Sequence, residues 1–227
     1  MHHLKEKRNL WLSLFFCAME LILYSLILTS HGKVLIWSEF SAIVLCFLFA
    51  LTMLQKKTVL LVCGLFFTVC ADFCLVLCDP IRQLGGMVAF LLVQILYAVK
   101  LQHVKRRKGF LIARLLLIVI VQIVTVCILG EKTDALALIS MCYYVNLVVN
   151  IAESFAQFSN SPLFAIGLVL FLLCDTVIGL QVAAEGYLPI AEESWLHNLI
   201  FSDFHLSWFF YLPAQALIAL SGGKMHA

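Results

Sequence analysis

Residues 58–78 read TVLLVCGLFFTVCADFCLVLC, an apolar run with a single charge, Asp72, about two-thirds of the way along. About 20 residues of this kind, rising 1.5 Å each as a helix, cross the ~30 Å hydrocarbon core of a bilayer. A carboxyl in such a segment is costly and marks a functional position by default. This stretch therefore sets both the fold class and the first candidate residue.

The same texture continues in both directions. Of the 227 residues, 63% are hydrophobic and 12% charged, and the mean hydropathy is +1.05. A soluble domain runs nearer half apolar and a quarter charged. These values exclude a soluble globular fold, a disordered chain and a coiled coil. At roughly 25 residues per span and turn, the length accommodates about eight transmembrane helices and no separate soluble domain.

The expected architecture is all-α and polytopic, one integral membrane domain over residues 1–227. Hydropathy and punctuation predict spans near 10–30, 34–54, 58–78, 84–101, 110–129, 135–155, 162–183 and 204–220. The fourth is short unless it begins at Leu84. The first is too long for the ~7–15-residue core of a cleaved signal, so it reads as a retained span. Pro162 suits a first helical turn, where its missing N–H costs nothing. The nine cysteines lie almost all in apolar runs without a CxxC pair and read as small apolar fillers. Cys70, Cys74 and Cys78 share a helix face offset from Asp72, a packing stripe.

Basic residues orient the spans. Lys5, Lys7, Arg8, Lys56, Lys57, Lys100, Lys105, Arg106, Arg107, Lys108 and Lys224 fall at one set of alternate loops and ends. The other set holds only Lys33, Arg82 and Lys132, and Arg114 lies just inside the fifth span. The positive-inside rule then places both termini in the cytoplasm. Trp11, Trp37, Trp195 and Trp208 fit interfacial anchors.

An internal echo links the third and seventh spans. GLFFTVCAD (64–72) and GLVLFLLCD (167–175) each place Gly-Leu at the same distance before an Asp. Two four-helix halves would make these spans equivalent and parallel. Asp72 and Asp175 would then sit ~20 Å from the cytoplasmic start of their helices, in the outer half of the bilayer. If the helices are neighbours, the carboxyls share one cavity and titrate as a pair, supplying an acid and a base together.

Other polar positions are candidates for the same lining. Glu20 is near the middle of the first span and Glu39 near the outer start of the second. Gln94 and Tyr97 share a face, and so do Tyr211 and Gln215. Tyr143, Asn146, Asn150 and Glu153 form one helical stripe. Arg82, in an outer loop, is placed to meet a phosphate. His197, Asp203 and His205 cluster before the last span and read as a polar outer loop rather than a zinc set. No metal, cofactor or nucleic-acid partner is expected, and GxSxG, HExxH and Walker patterns are absent.

The stretches ADFCLVL (71–77), GGMVAFLLVQILYAV (85–99), LFAIGLVLFLLCDTVIGL (163–180) and WFFYLPAQALIAL (208–220) resemble the YhhN-like family, whose animal members are lysoplasmalogenases. The resemblance runs from about the third span to the end. It implies an eight-span membrane hydrolase acting on the vinyl ether of a lysophospholipid, lysoplasmalogen. The products would be a fatty aldehyde and glycerophosphoethanolamine or glycerophosphocholine. It carries the family's two membrane aspartates onto Asp72 and Asp175, with no cofactor, in a bacterial cell membrane. Two departures stand out: Ser38, Glu39 and Phe40 lie where members often have Lys-Pro, and Gln94 where they often have His.

Two other classes fit the residues and a third does not. Asp72 and Asp175 could bind protons in a proton-coupled transporter, or belong to a lipid-binding protein without catalysis. An intramembrane aspartyl protease lacks its GxGD context, because Ala71 and Cys174 precede the aspartates.

Overall fold

The computed structural model describes residues 2–187, 190–191, 193–202 and 204–223, with side chains from Lys7 onward. The longer helices are α1 (His2–Thr29), α2 (Gly32–Thr52), α3 (Val59–Asp72), α4 (Gln83–Val104), α5 (Lys108–Leu129), α6 (Ala135–Phe155) and α7 (Pro162–Val182). A six-residue α8 (Trp195–Ile200) and then α9 (Leu206–Ser221) follow. Single π-helical turns extend α3 (Phe73–Leu77) and α7 (Ala183–Tyr187).

The ends form where their chemistry predicts. Asp134 caps α6 by accepting from the Ala137 amide at 2.7 Å, and Pro162 opens α7. Gly32 and Gly130 turn the chain at positive φ, +62° and +54°, where a Cβ would be strained. Pro213 sits inside α9 and lacks the N–H that would reach the Phe209 carbonyl. The Tyr24 hydroxyl of α1 donates to that carbonyl instead, at 3.1 Å. Such replacement is required where no water reaches the backbone.

Among the described residues, seven helices are long and apolar enough to cross a membrane. The eighth expected span is shorter than expected: α9 has 16 residues, about 24 Å at 1.5 Å each. Its two ends nevertheless reach opposite faces of the bundle. At one, the rings of His205 and His31 are 6.0 Å apart. At the other, Gly222 lies against Leu61 and Thr58, at the start of α3. Both ends of the described chain therefore lie on the face that carries Lys56, Lys57 and the 105–108 loop. Lys224 lies outside the described residues, as does the side chain of Lys5. Lys100, expected among the loop charges, is instead buried within α4, its ammonium 3.4 Å from the Phe164 ring centre. A cation above an aromatic face gains a favourable contact that partly offsets its desolvation.

Helices α2, α3, α4, α6, α7 and α9 pack in sequence into a closed ring, with α1 against α2 and α9, and α5 against α6. Each half thus has the same order of neighbours: α1–α2–α3–α4, then α5–α6–α7–α9. The halves meet where α4 packs on α6 and where α9 packs on α2, α1 and α3. The Gly-Leu echo has a structural counterpart in this arrangement. A Cβ on Gly64 would run into the Tyr97 ring of α4, and one on Gly167 would lie 2.8 Å from Ile218 and 3.0 Å from the Ala214 carbonyl of α9. Each glycine marks a close approach of corresponding helix pairs, α3–α4 and α7–α9. Helix α5 buries little: Leu115, Leu116, Val119, Ile120 and Ile123 are all exposed, which fits a lipid-facing surface.

Candidate active site

Asp72 ends α3, and Asp175 occupies the same rank in α7, fourteenth in each helix. Asp72 is buried and accepts a hydrogen bond from the Tyr211 hydroxyl of α9 at 2.7 Å. Asp175 is partly exposed, and its Oδ2 accepts from the Tyr143 hydroxyl of α6. Each carboxyl thus has its own phenol donor, Tyr211 of α9 for Asp72 and Tyr143 of α6 for Asp175. Ionised acceptors strengthen such bonds, and the donors fix the orientation of both side chains.

The two Tyr–Asp pairs belong to one centre. Asp175 and Glu39 both lie within electrostatic range of Asp72, and Tyr211 is within range of both aspartates. Between them stands an aromatic group. Phe90 and Phe171 meet edge-on at 5.6 Å, Phe171 lies 5.5 Å from Tyr211, and Phe90 lies 5.9 Å from Tyr143. This apolar packing lowers the local dielectric around the two carboxyls, which strengthens the hydrogen bonds they accept. Glu20 lies one shell further out: it accepts from the Cys46 thiol at 3.3 Å, and Cys46 is itself within range of Asp72.

The polar stripe of α6 divides. Tyr143 serves Asp175, while Asn146, Asn150 and Glu153 surround Arg114 of α5. The guanidinium reaches Asn146 Oδ1 at 3.2 Å, Asn150 Oδ1 at 2.8 Å and Glu153 Oε2 at 3.4 Å. Glu153 also accepts from Gln102. Asn146 is therefore engaged on the basic-loop side of the aspartates, away from their first contacts. Asn150 in turn donates to Gln94 Oε1 at 2.9 Å, tying α5, α6 and α4 together.

The remaining expected residues are distributed as follows. Glu39 is buried in the first half of α2, within electrostatic range of Asp72. Gln94, Tyr97 and Gln215 are fully buried, on the basic-loop side of Phe90 and Tyr211. Among the described residues, Gln94 Nε2 and both amide atoms of Gln215 have no hydrogen-bond partner. Arg82 is exposed just before α4, beside the π-turn that follows Asp72, and its amide donates to Cys74 O at 3.0 Å. The His197 ring packs on Phe201. Asp203 of the same cluster lies outside the described residues.

Arg114 and Lys100 escaped assignment from sequence because both were counted by position along the chain. Glu153 inside a span was the available signal, since a buried carboxylate demands a cation or a proton. The Tyr–Asp pairings join residues 32 and 139 positions apart, and no local spacing reveals them. All nine cysteines are free thiols.

The model of the YhhN family matches residues 34–222 of the chain, from α2 to the end of α9. No curated protein and no solved structure matches it.

Proposed function

The chain belongs to the YhhN family, and from that premise we propose that it is a membrane hydrolase cleaving the vinyl ether of lysoplasmalogen or a closely related lysolipid. The observation that carries this reading is the pairing of two aspartates of equal rank, each held by its own tyrosine, in one electrostatic centre. Hydrolysis of a vinyl ether needs a proton donor at the β-carbon, then a base for water at the oxocarbenium carbon. Two coupled carboxyls supply both, because one keeps the proton that the other gives up.

The reaction is neutral in protons. One Asp protonates the β-carbon, and the π pair becomes the new C–H bond. The other, ionised, stabilises the cation and takes a proton from the attacking water. The hemiacetal then collapses: its hydroxyl returns a proton to the first Asp, and the glycerol oxygen leaves with the proton held by the second. Aldehyde and glycerophospho-headgroup are the products, and both aspartates are restored. Arg82, exposed near the outer end of α4, is suited to the lipid phosphate. In this reading α9 is the eighth span and both termini are cytoplasmic.

Release of fatty aldehyde by purified protein in detergent, across a panel of lysolipids with and without the vinyl ether, tests the proposal. Glu20 and Glu39 add two buried carboxyls that the hydrolytic cycle does not need, which favours a proton-coupled transporter as the second reading. That reading expects no aldehyde and a flux that requires both aspartates.

A further inference from the structure

Gln215 carries the most conspicuous unsatisfied chemistry in the molecule. Its side chain is fully buried, and neither its Nε2 nor its Oε1 has a partner among the described residues. A buried amide without hydrogen bonds is costly, so such a group usually serves a ligand or an ordered water. Gln215 lies one helical turn from Tyr211, on the same face of α9. Tyr211 is the donor to Asp72.

A second amide points to the same layer. Gln94 lies one turn from Phe90 on α4, and Phe90 is 6.4 Å from Tyr211. Both helices run in the same direction, from the His205 and Arg82 side toward the basic loops. The two glutamines therefore occupy one level, one turn from Phe90 and Tyr211 toward the basic loops. Gln94 is anchored by its oxygen to Asn150, which Arg114 holds in turn. Its Nε2 is left as a fixed donor without a partner. Thr68 adds a hydroxyl to the same level of α3, one turn before Asp72.

Resting on the hydrolase reading above, we infer that Gln215 and Gln94 hold the hydrolytic water against Asp72. Gln94 donates to the water, the Gln215 amide accepts from it, and Asp72 takes its proton. This assigns Asp72 as the base and Asp175, the more exposed of the two, as the acid that protonates the β-carbon. Gln94 and Gln215 are positioning residues: neither gains nor loses a proton.

The test is isotopic. With poor water capture, the oxocarbenium ion returns to the vinyl ether by giving a β-proton back to Asp175. In D2O, wild type should yield aldehyde with one deuterium at C2 and unlabelled recovered substrate. Gln215→Met should lower turnover at least about tenfold, as for loss of a preorganised hydrogen bond, and deuterium should appear at the β-carbon of recovered substrate. Gln94→Met should do the same. Gln215→Met should also melt no lower than wild type, since it removes an unpaired amide. Slower turnover with unlabelled substrate, unchanged turnover, or a marked fall in melting temperature each overturns the assignment. Absence of aldehyde from wild type instead removes the hydrolase reading itself, and the inference with it.

Discussion

The Tyr211 hydroxyl donates to Asp72 Oδ2 at 2.7 Å, joining residues 139 positions apart. The contact depends on α9 packing beside α3 and α7, and on Gly167 allowing α7 and α9 to approach closely. The first prediction concerns this bond. Tyr211→Phe leaves a buried carboxyl short of a donor and should lower stability by ~1–3 kcal/mol. Adding Asp72→Asn should recover part of that loss, because the two residues interact and their effects do not add. Unfolding of the single and double variants in detergent measures the coupling. Additive effects would remove the bond from the account of stability.

Asp72→Asn and Asp175→Asn each keep size and hydrogen bonding but remove the titrating proton. Either should lower turnover of lysoplasmalogen by at least ~100-fold, within the usual span for acid–base catalysis. The double variant should lose little more than the worse single, as members of one catalytic unit are non-additive. A folded single variant that turns over at the wild-type rate eliminates the two-carboxylate mechanism.

Arg114 is held by Glu153, Asn146 and Asn150 inside the bundle. Arg114→Met should destabilise by ~3–5 kcal/mol, because it strands a buried carboxylate. Arg114→Met with Glu153→Gln should recover most of it. Melting of the two variants against wild type decides this, and equal losses would show that the pair itself matters little.

Two glycines on one helix give a matched comparison. A methyl on Gly167 meets the Ala214 carbonyl and Ile218, whereas one on Gly179 meets nothing within 4 Å. Gly167→Ala should cost ~1–3 kcal/mol by overpacking. Gly179→Ala should be neutral or slightly stabilising, since Ala is the better helix former. Similar stabilities for both would mean that α7 and α9 are not packed this tightly.

The basic face of the bundle should be cytoplasmic. A cysteine tag in the 105–108 loop, in a cysteine-depleted background, should react only after permeabilisation. Labelling from outside intact cells would invert the orientation assigned from the positive charges.

Composition and run length alone determined that this is an all-α membrane protein, and placed most helix ends within a few residues. The sixth span, Ala135–Phe155, matches its expected bounds, because lipid allows no unpaired backbone and forces each apolar run into a helix. The aspartates were visible for the same reason: a carboxyl in a span is rare enough to stand out. What only the tertiary structure decided is which polar groups face each other. The stripe on α6 looked uniform, yet Tyr143 turns to Asp175 while Asn146, Asn150 and Glu153 turn to Arg114. Lys100 looked like a loop charge, yet it lies under Phe164. The last expected span, too, is a shorter helix, α9, of 16 residues. Helical periodicity records which residues share a face, but the partner of that face is set by packing between segments far apart in the chain.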